Sequence, residues 1–198
     1  MGKVKDPVAI IGEGITEEYY IESLKDFSWL SPKPKFFKST TTTTKEYENK
    51  IKEVIERGYT KIYCLFDMDI HSKDDYSYAK YFALRRKYHN QNKKGVFIRF
   101  FESNPSIEVF FRYYFEYTTA TQTNEGLKRW LLEKVGYVVK EKYFARNPLH
   151  VVFCRNDGNL DNAISNSIRS VANREPDNYV CCYTEVGSMI KLLMNQEE

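Results

Sequence analysis

The sequence has few cysteines and histidines and no long apolar segment. Its 198 residues include four cysteines and three histidines, and the cysteines (Cys64, Cys154, Cys181 and Cys182) lack the paired spacing of a zinc site. We therefore expect reduced thiols in a cytoplasmic protein. No stretch approaches the roughly 20 apolar residues that a membrane helix needs, and the first residues do not have the pattern of a signal peptide. No membrane association is predicted.

Strong charge and familiar catalytic signatures are also missing. The net charge is only +3, so no overall field draws the chain to nucleic acid, although a local basic surface is still compatible with it. The sequence contains no Walker loop, no dinucleotide-binding glycine motif and no Ser-His-Asp arrangement. What it has in abundance is aromatic residues, 16% of the chain, beside an ordinary apolar content of 42%. These values fit a globular protein with one core.

Strand-like and helix-like segments alternate along the first half of the chain. Strands are expected at residues 7–11, 36–40, 62–66 and 96–101, and helical periodicity lies between them, with Thr16 as the cap of the first helix. The apolar run at 62–66 is typical of a strand that is covered on both faces. The alternation predicts an α/β fold with a mostly parallel, Rossmann-like central sheet and helices on both sides.

The character of the sequence changes in the second half. Pro105 is expected in the first position of a helix, and periodic apolar residues predict further helices near 127–132, 160–171 and 186–193. Short strands are expected at 151–153 and 179–181. We therefore divide the chain into an α/β core, residues 1–117, for which a metal site is argued below, and a helix-rich C-terminal extension, residues 118–198, packed on that core as one compact unit.

Two acidic residues, Asp67 and Asp69, follow the most apolar strand. Residues i and i+2 of a strand point to the same side, so both carboxylates would face one ion if the strand continued through Asp69. Ligands of parallel sheets collect at this carboxyl edge. The alternative is that Asp67 caps the next helix and Asp69 is solvated.

A third acid, Glu13, lies between two glycines at the end of the first strand. If the first and third strands are neighbours, Glu13, Asp67 and Asp69 meet in one crevice, where Mg²⁺ or Mn²⁺ would neutralise them. The alternative for Glu13 is an exposed turn. Glu108, near the start of the helix after the fourth strand, is a further candidate, and its alternative is an ion pair with Arg112.

Weaker candidates surround this centre. Glu102 ends the fourth strand, and His71 is expected either as a ligand or as an exposed histidine at a helix start. Four basic residues are interleaved with tyrosines in the third helix region and are candidate nucleic-acid contacts: Lys73, Arg85, Arg86 and Lys87. A charged, solvated helix face explains the same pattern.

Four stretches together resemble the RloB-like proteins of the Toprim superfamily, over nearly the whole chain. They are Gly12-Glu13-Gly14 with Thr16-Glu17-Glu18, then Asp67-Met68-Asp69, then Asn104-Pro105-Ser106-Ile107-Glu108, and finally Tyr183-Thr184-Glu185-Val186. Phe110 and Tyr114 depart from the family, which often has Trp and His in that helix.

The resemblance implies a Toprim-like fold and a divalent-metal-dependent nuclease active in bacterial antiphage defence. Glu13 becomes a general acid/base or metal-side acid, Asp67 and Asp69 become Mg²⁺ ligands, and Glu108 an additional site acid. Some relatives act with an ATPase, so a partner ATPase is expected beside DNA or RNA. Two alternatives stay open: a haloacid-dehalogenase-like phosphatase with Asp67 as nucleophile, and a non-catalytic nucleic-acid-sensing or regulatory subunit.

Overall fold

The computed structural model describes residues 7–25, 27, 30, 33–93, 95–175 and 179–194. Its strands are β1 (Val8–Gly12), β2 (Lys35–Lys38), β3 (Lys61–Asp67), β4 (Gln91–Lys93), β5 (Val96–Asn104) and β6 (Tyr183–Thr184). The helices that flank the first strands are α1 (Ile15–Ser23), α2 (Thr44–Glu56), α3 (Met68–His71) and α4 (Asp75–Tyr88). The later helices are α5 (Glu108–Tyr113), α6 (Asn124–Val135), α7 (Glu141–Phe144), α8 (Leu149–Arg155), α9 (Leu160–Ala172) and α10 (Val186–Met194).

The strands form one open sheet in the order β2-β1-β3-β5-β4. β1 pairs in parallel with both β2 and β3, and β3 pairs in parallel with β5. β4 is an antiparallel neighbour of β5, and β6 pairs antiparallel with the carboxyl end of β5. The fold is therefore mixed α/β with a mostly parallel, Rossmann-like sheet, as predicted.

Both faces of the sheet are covered, which explains the continuous apolar runs. Alternate residues of β1 and β3 point to opposite sides. Val8, Ile10 and Leu65 pack with α1, α5 and the C-terminal helices. Ile11 and Cys64, on the opposite face, belong to a second cluster with α2 and α4.

Local chemistry determines where several helices begin and end. Thr43 caps α2 by accepting a hydrogen bond from the Glu46 amide, and Asp74 caps α4 by accepting one from the Ser77 amide. α6 ends at Gly136, whose φ of +70° is in the left-handed region.

Several local predictions were wrong. β3 ends at Asp67, so Asp69 lies on α3 and the argument from strand alternation does not apply to it. α5 begins at Glu108, three residues after Pro105, and Thr16 lies inside α1, with Gly14 at the cap position. Residues 151–153 are helical and belong to α8, which buries Phe153. The antiparallel strand β4 was not predicted.

The C-terminal part of the chain is joined to the sheet. β6 pairs with Ser103 and Asn104 of β5, and the buried face of α10 shares a core with β1 and β3. The predicted boundary at residue 117 stays a prediction. In the part of the chain that the structure describes, no helix has the length and apolar character needed to span a membrane.

Candidate functional site

The candidate site lies where the connections of the sheet change direction. β2 lies on one side of β1 and β3 on the other, which opens a crevice at the carboxyl ends of β1 and β3. Glu13 follows β1 and Asp67 ends β3, so the structure brings both acids to this crevice. β5 ends at the same edge, and the short loop after it leads into Glu108, the first residue of α5.

Asp67 and Asp69 are both held by the loop between β5 and α5. The Ile107 amide donates to Asp67 Oδ1 at 3.0 Å, and the Asp69 amide donates to the Pro105 carbonyl at 3.1 Å. The Asn124 side chain, at the start of α6, donates to Asp69 Oδ2. Asp69 Oδ1 is buried and accepts no hydrogen bond from any described residue. Asp67 stands at the N-cap position of α3 but makes no side-chain cap hydrogen bond, and Asp69 is partly buried.

Glu13 and His71 form a buried pair. His71 Nε2 lies 2.9 Å from Glu13 Oε1, and the two side chains are 3% and 6% exposed. The histidine ring packs edge-on against Phe66 and beside Tyr81. Glu13 is thus oriented toward the crevice rather than exposed in a turn, and the expectation of an exposed His71 is wrong.

Glu108 is buried and does not pair with Arg112. Ser106 Oγ donates to its Oε2 at 2.7 Å, and the Tyr137 hydroxyl donates to its Oε1 at 3.0 Å. Lys128 Nζ lies 3.9 Å away. Arg112 pairs instead with Glu116, one turn later in the chain. The carboxylate of Glu108 therefore faces the interior of the site.

Glu17 is a fifth acid that the sequence analysis left out of the site. Its side chain is buried on the first turn of α1, only 4% of the residue being exposed. It folds back on Gly14: a Cβ at that position would lie 3.0 Å from Glu17 Oε2. The signal was present in the sequence, because Glu17 belongs to the Thr16-Glu17 pair behind the glycines. From the sequence it was named only as part of the family-like stretch.

The pKa values of Glu17, Asp67 and Asp69 are raised in this centre. Desolvation raises the pKa of Glu17 to about 7, with the charges of Glu13 and Glu108 adding to the shift. Desolvation, followed by the charges of Glu17, Glu13, Glu108 and Asp69, holds the pKa of Asp67 well above its usual range. The pKa of Asp69 is raised in the same direction by desolvation and by Glu13, against the lowering effect of the Ile70 amide and Lys128. The centre is therefore one electrostatic unit that a cation would relieve.

The fit of this centre to a metal is partial. Among the described residues, no group of three or more His, Cys, Asp or Glu side chains is arranged to hold a metal ion. Mg²⁺ needs less than that, because it commonly keeps several waters and uses one or two carboxylates together with substrate phosphates. The donor set is all oxygen, and the buried Asp69 Oδ1 has no other described partner. These features fit a hard divalent ion.

Two of the four predicted nucleic-acid contacts are engaged elsewhere. Arg85 Nε lies 3.2 Å from Glu102 Oε1, and Lys87 Nζ lies 2.7 Å from Glu48. Arg86 is exposed on α4, and Lys73 is exposed just before that helix.

Glu102, a weaker candidate, lies outside the acidic centre. Its carboxylate is buried and accepts hydrogen bonds from the hydroxyls of Tyr81 and Tyr183, at 2.7 and 2.8 Å. It faces Arg85 and Arg174. The structure therefore assigns Glu102 to a buried network between the sheet, α4 and the C-terminal segment.

Fold and site together define the class: an α/β protein with a mostly parallel sheet and a cluster of acids at its carboxyl edge. The chain belongs to the RloB-like protein family, whose model matches residues 8–193. The curated proteins and the solved structures gave no match. The family match covers every acid of the site.

Proposed function

We propose that this protein is a divalent-metal-dependent nuclease that hydrolyses phosphodiester bonds of DNA or RNA. The observation that carries the proposal is the meeting of Glu13, Glu17, Asp67, Asp69 and Glu108 at the topological switch point of the sheet. Ligand sites of open α/β sheets occur at such points. A cluster of five carboxylates is costly unless cations neutralise it.

Of Asp67, Asp69 and Glu13, one or two would hold Mg²⁺ or Mn²⁺ together with water and substrate phosphate. The ion would neutralise charge on a phosphate and activate water. The backbone amide of Ile107 and the side chains of Asn124 and His71 would keep the three carboxylates oriented. Glu17, with its pKa near 7, is the acid best suited to exchange a proton at neutral pH.

The proposed biological setting rests on the family resemblance. We propose a Toprim-type nuclease of the bacterial cytoplasm that acts in antiphage defence, with a partner ATPase as a candidate regulator. RloB-like membership supports this setting.

The first test is a cleavage screen. Plasmid DNA, single-stranded DNA and tRNA are incubated with the protein in Mg²⁺, Mn²⁺ or EDTA. We expect cleavage of at least one substrate with metal and none with EDTA. Glu13→Gln and Asp69→Asn should each lower the rate by orders of magnitude, because groups that act as a unit fail together. Glu116→Gln, which removes an exposed acid paired with Arg112, is the matched control and should keep full activity.

Cleavage that persists undiminished in both Glu13→Gln and Asp69→Asn would reject this centre as the active site. Turnover of a phosphomonoester with a trapped phospho-aspartate at Asp67 would instead identify the phosphatase alternative.

One observation favours the non-catalytic alternative, a nucleic-acid-sensing or regulatory subunit. No described group of three potential ligands is arranged for a metal, as expected of a vestigial site. Absence of cleavage of all three substrates, with and without a partner ATPase, would support that alternative. A Mn²⁺-induced rise in melting temperature that Asp69→Asn abolishes would show that the centre still binds metal.

A further inference from the structure

A groove of about 400 Å³ lies beside the acidic centre, between the start of α2 and the start of α4. Its walls include Thr42, Thr43, Lys45, Lys73, Tyr76 and Lys80. None of the described residues that line it is acidic. The groove is therefore a concave surface of one charge sign on a protein whose net charge is small.

The three lysines of this groove make no direct ion pair, although the pKa of the Asp74 carboxyl, lowered first by a backbone hydrogen bond, is lowered further by the nearby charge of Lys73. Lys45, Lys73 and Lys80 form no ion pair with any carboxylate within the described ranges, whereas Lys87, farther along α4, is paired with Glu48 at 2.7 Å. The N-terminal turn of α2, a helix of 13 residues, adds the positive end of its dipole to the same wall. The lysines supply the main charge, and the chemistry they would recognise is that of phosphates.

Tyr76 gives the groove an aromatic platform. The residue is 70% exposed, so its ring is open to solvent. Lys80 Nζ lies 3.9 Å from the centre of its ring. An exposed ring beside a lysine is the combination that holds an unpaired base and its phosphate in proteins that bind single strands.

The inner wall of the groove touches the acidic centre. His71 lines the groove, and its Nε2 is 2.9 Å from Glu13 Oε1. A phosphate chain lying along the lysines would thus reach the acids past one side chain.

We propose that this groove binds single-stranded nucleic acid, with phosphates on Lys45, Lys73 and Lys80 and a base stacked on Tyr76. The strand is single because a base in a duplex is paired and stacked on its neighbours and is not free to stack on a tyrosine. The proposal rests on the proposed nuclease function for the fate of the bound strand, but binding itself needs neither metal nor cleavage.

The test measures binding in EDTA, by fluorescence anisotropy with a labelled single-stranded oligonucleotide and with its duplex, over a range of salt concentrations. The triple variant Lys45→Gln, Lys73→Gln, Lys80→Gln should lose affinity for the single strand by on the order of tenfold or more. Its slope of log K against log salt should flatten by about 2, at about 0.7 for each lost phosphate contact. Tyr76→Ala should weaken binding about tenfold, the effect of losing one stacked base, while Tyr76→Phe should bind like wild type.

The matched control is Lys140→Gln, Lys142→Gln, Lys191→Gln. It removes the same charge from exposed positions on α7, the residue before it and α10, whose buried side chains pack on the other face of the sheet. It should leave the affinity within about twofold of wild type, because a net charge difference acts weakly at physiological salt.

Equal weakening by the two triple variants, no weakening by the groove variant, or tighter binding of the duplex would each overturn the proposal. The outcome for the nuclease is separate. If the wild type binds the strand and the groove variant does not, but no metal supports cleavage, the groove is established and the proposed nuclease activity is rejected. Metal-dependent cleavage by the wild type, together with unchanged strand binding in the groove variant, would support the nuclease and overturn the groove proposal.

Discussion

At the scale of single residues, burial and neighbouring carboxylates raise the cost of ionising Glu17, Asp67 and Asp69. Glu17 shows this most clearly, since it is buried and also feels the charges of Glu13 and Glu108. The close approach of its carboxylate to Gly14 leaves little room for a side chain there. Ionising these buried carboxylates therefore lowers the stability of the fold at the candidate site, and such raised pKa values are common at functional sites.

The pH dependence of stability should reveal this loss. The pKa of Glu17 is raised from 4.5 to about 7 by folding. Below about pH 4.5 the side chain is protonated in both the folded and the unfolded state and costs no stability. As pH rises from about 4.5 to about 7, the free energy of unfolding falls, because only the folded state still holds the proton. Glu17→Gln, measured in EDTA, should be more stable than wild type by about 2–3 kcal/mol at pH 8, with a much smaller difference at pH 5.

The measurement is urea denaturation at both pH values. Glu133→Gln, on the exposed face of α6, is the control. The loss of unfolding free energy between pH 5 and pH 8 should be as large in this variant as in wild type. If Glu17→Gln gives the same stability difference at pH 5 and pH 8, the raised pKa of Glu17 is wrong.

At the scale of elements, α9 and α10 approach each other at Gly187. A Cβ at this position would lie 2.7 Å from the Ser167 side chain and 2.9 Å from the Ile164 carbonyl oxygen. The Gly187 amide donates to Ser167 Oγ at 3.0 Å, and that hydroxyl donates to the carbonyl of Thr184 in β6. The glycine therefore sets how closely the last helix packs and how β6 is held against the sheet.

Gly187→Ala should destabilise the protein by about 1–3 kcal/mol, the usual cost of inserting a methyl group into a tightly packed contact. The expected helix-propensity gain of alanine is smaller than this cost because the obstructing atom at 2.9 Å is backbone. Thermal or urea denaturation gives the value. Ser188→Ala, the next position on α10, should change stability by no more than about 0.5 kcal/mol; a neutral or stabilising Gly187→Ala would contradict the close packing.

At the scale of the whole molecule, a buried charge network connects the sheet to α4 and to the C-terminal segment. Glu102 on β5 accepts from Tyr81 of α4 and from Tyr183 of β6, and it faces Arg85 and Arg174. The backbone of Glu102 also pairs with Glu185, whose pKa is raised by burial and by the Glu102 charge. The network joins segments about 80 residues apart in the chain.

Glu102→Gln should cost about 3 kcal/mol or more, because it leaves Arg85 and Arg174 half-buried without their common carboxylate. Glu116→Gln, which breaks an exposed pair with Arg112, should cost about 1 kcal/mol or less. Both values come from denaturant titration monitored by circular dichroism. Similar losses from the two variants would show that the Glu102 network contributes no more than a surface ion pair.

The sequence by itself determined the class of fold and the acids on the strand ends. Continuous apolar runs in β1 and β3 predicted strands covered on both faces, because each face of such a strand must be apolar. Glu13 and Asp67 share one edge because β1 lies beside β3, an adjacency that could be stated from the sequence only as a condition. Local patterns are sufficient for the strands and for the acids that follow them, since both depend on near neighbours along the chain.

Only the tertiary structure decided the features that depend on distant partners. Glu17 looked like an ordinary helix-start acid until burial against Gly14 and the other carboxylates raised its pKa. The alternative ion pair between Glu108 and Arg112 does not form, because Arg112 pairs with Glu116. Ser106 and Tyr137 donate hydrogen bonds to Glu108 instead. Residues 151–153 lie on α8, where Phe153 packs in the core and Val152 packs against it. Burial and long-range contact are set by how elements pack, and no window of the sequence contains that information.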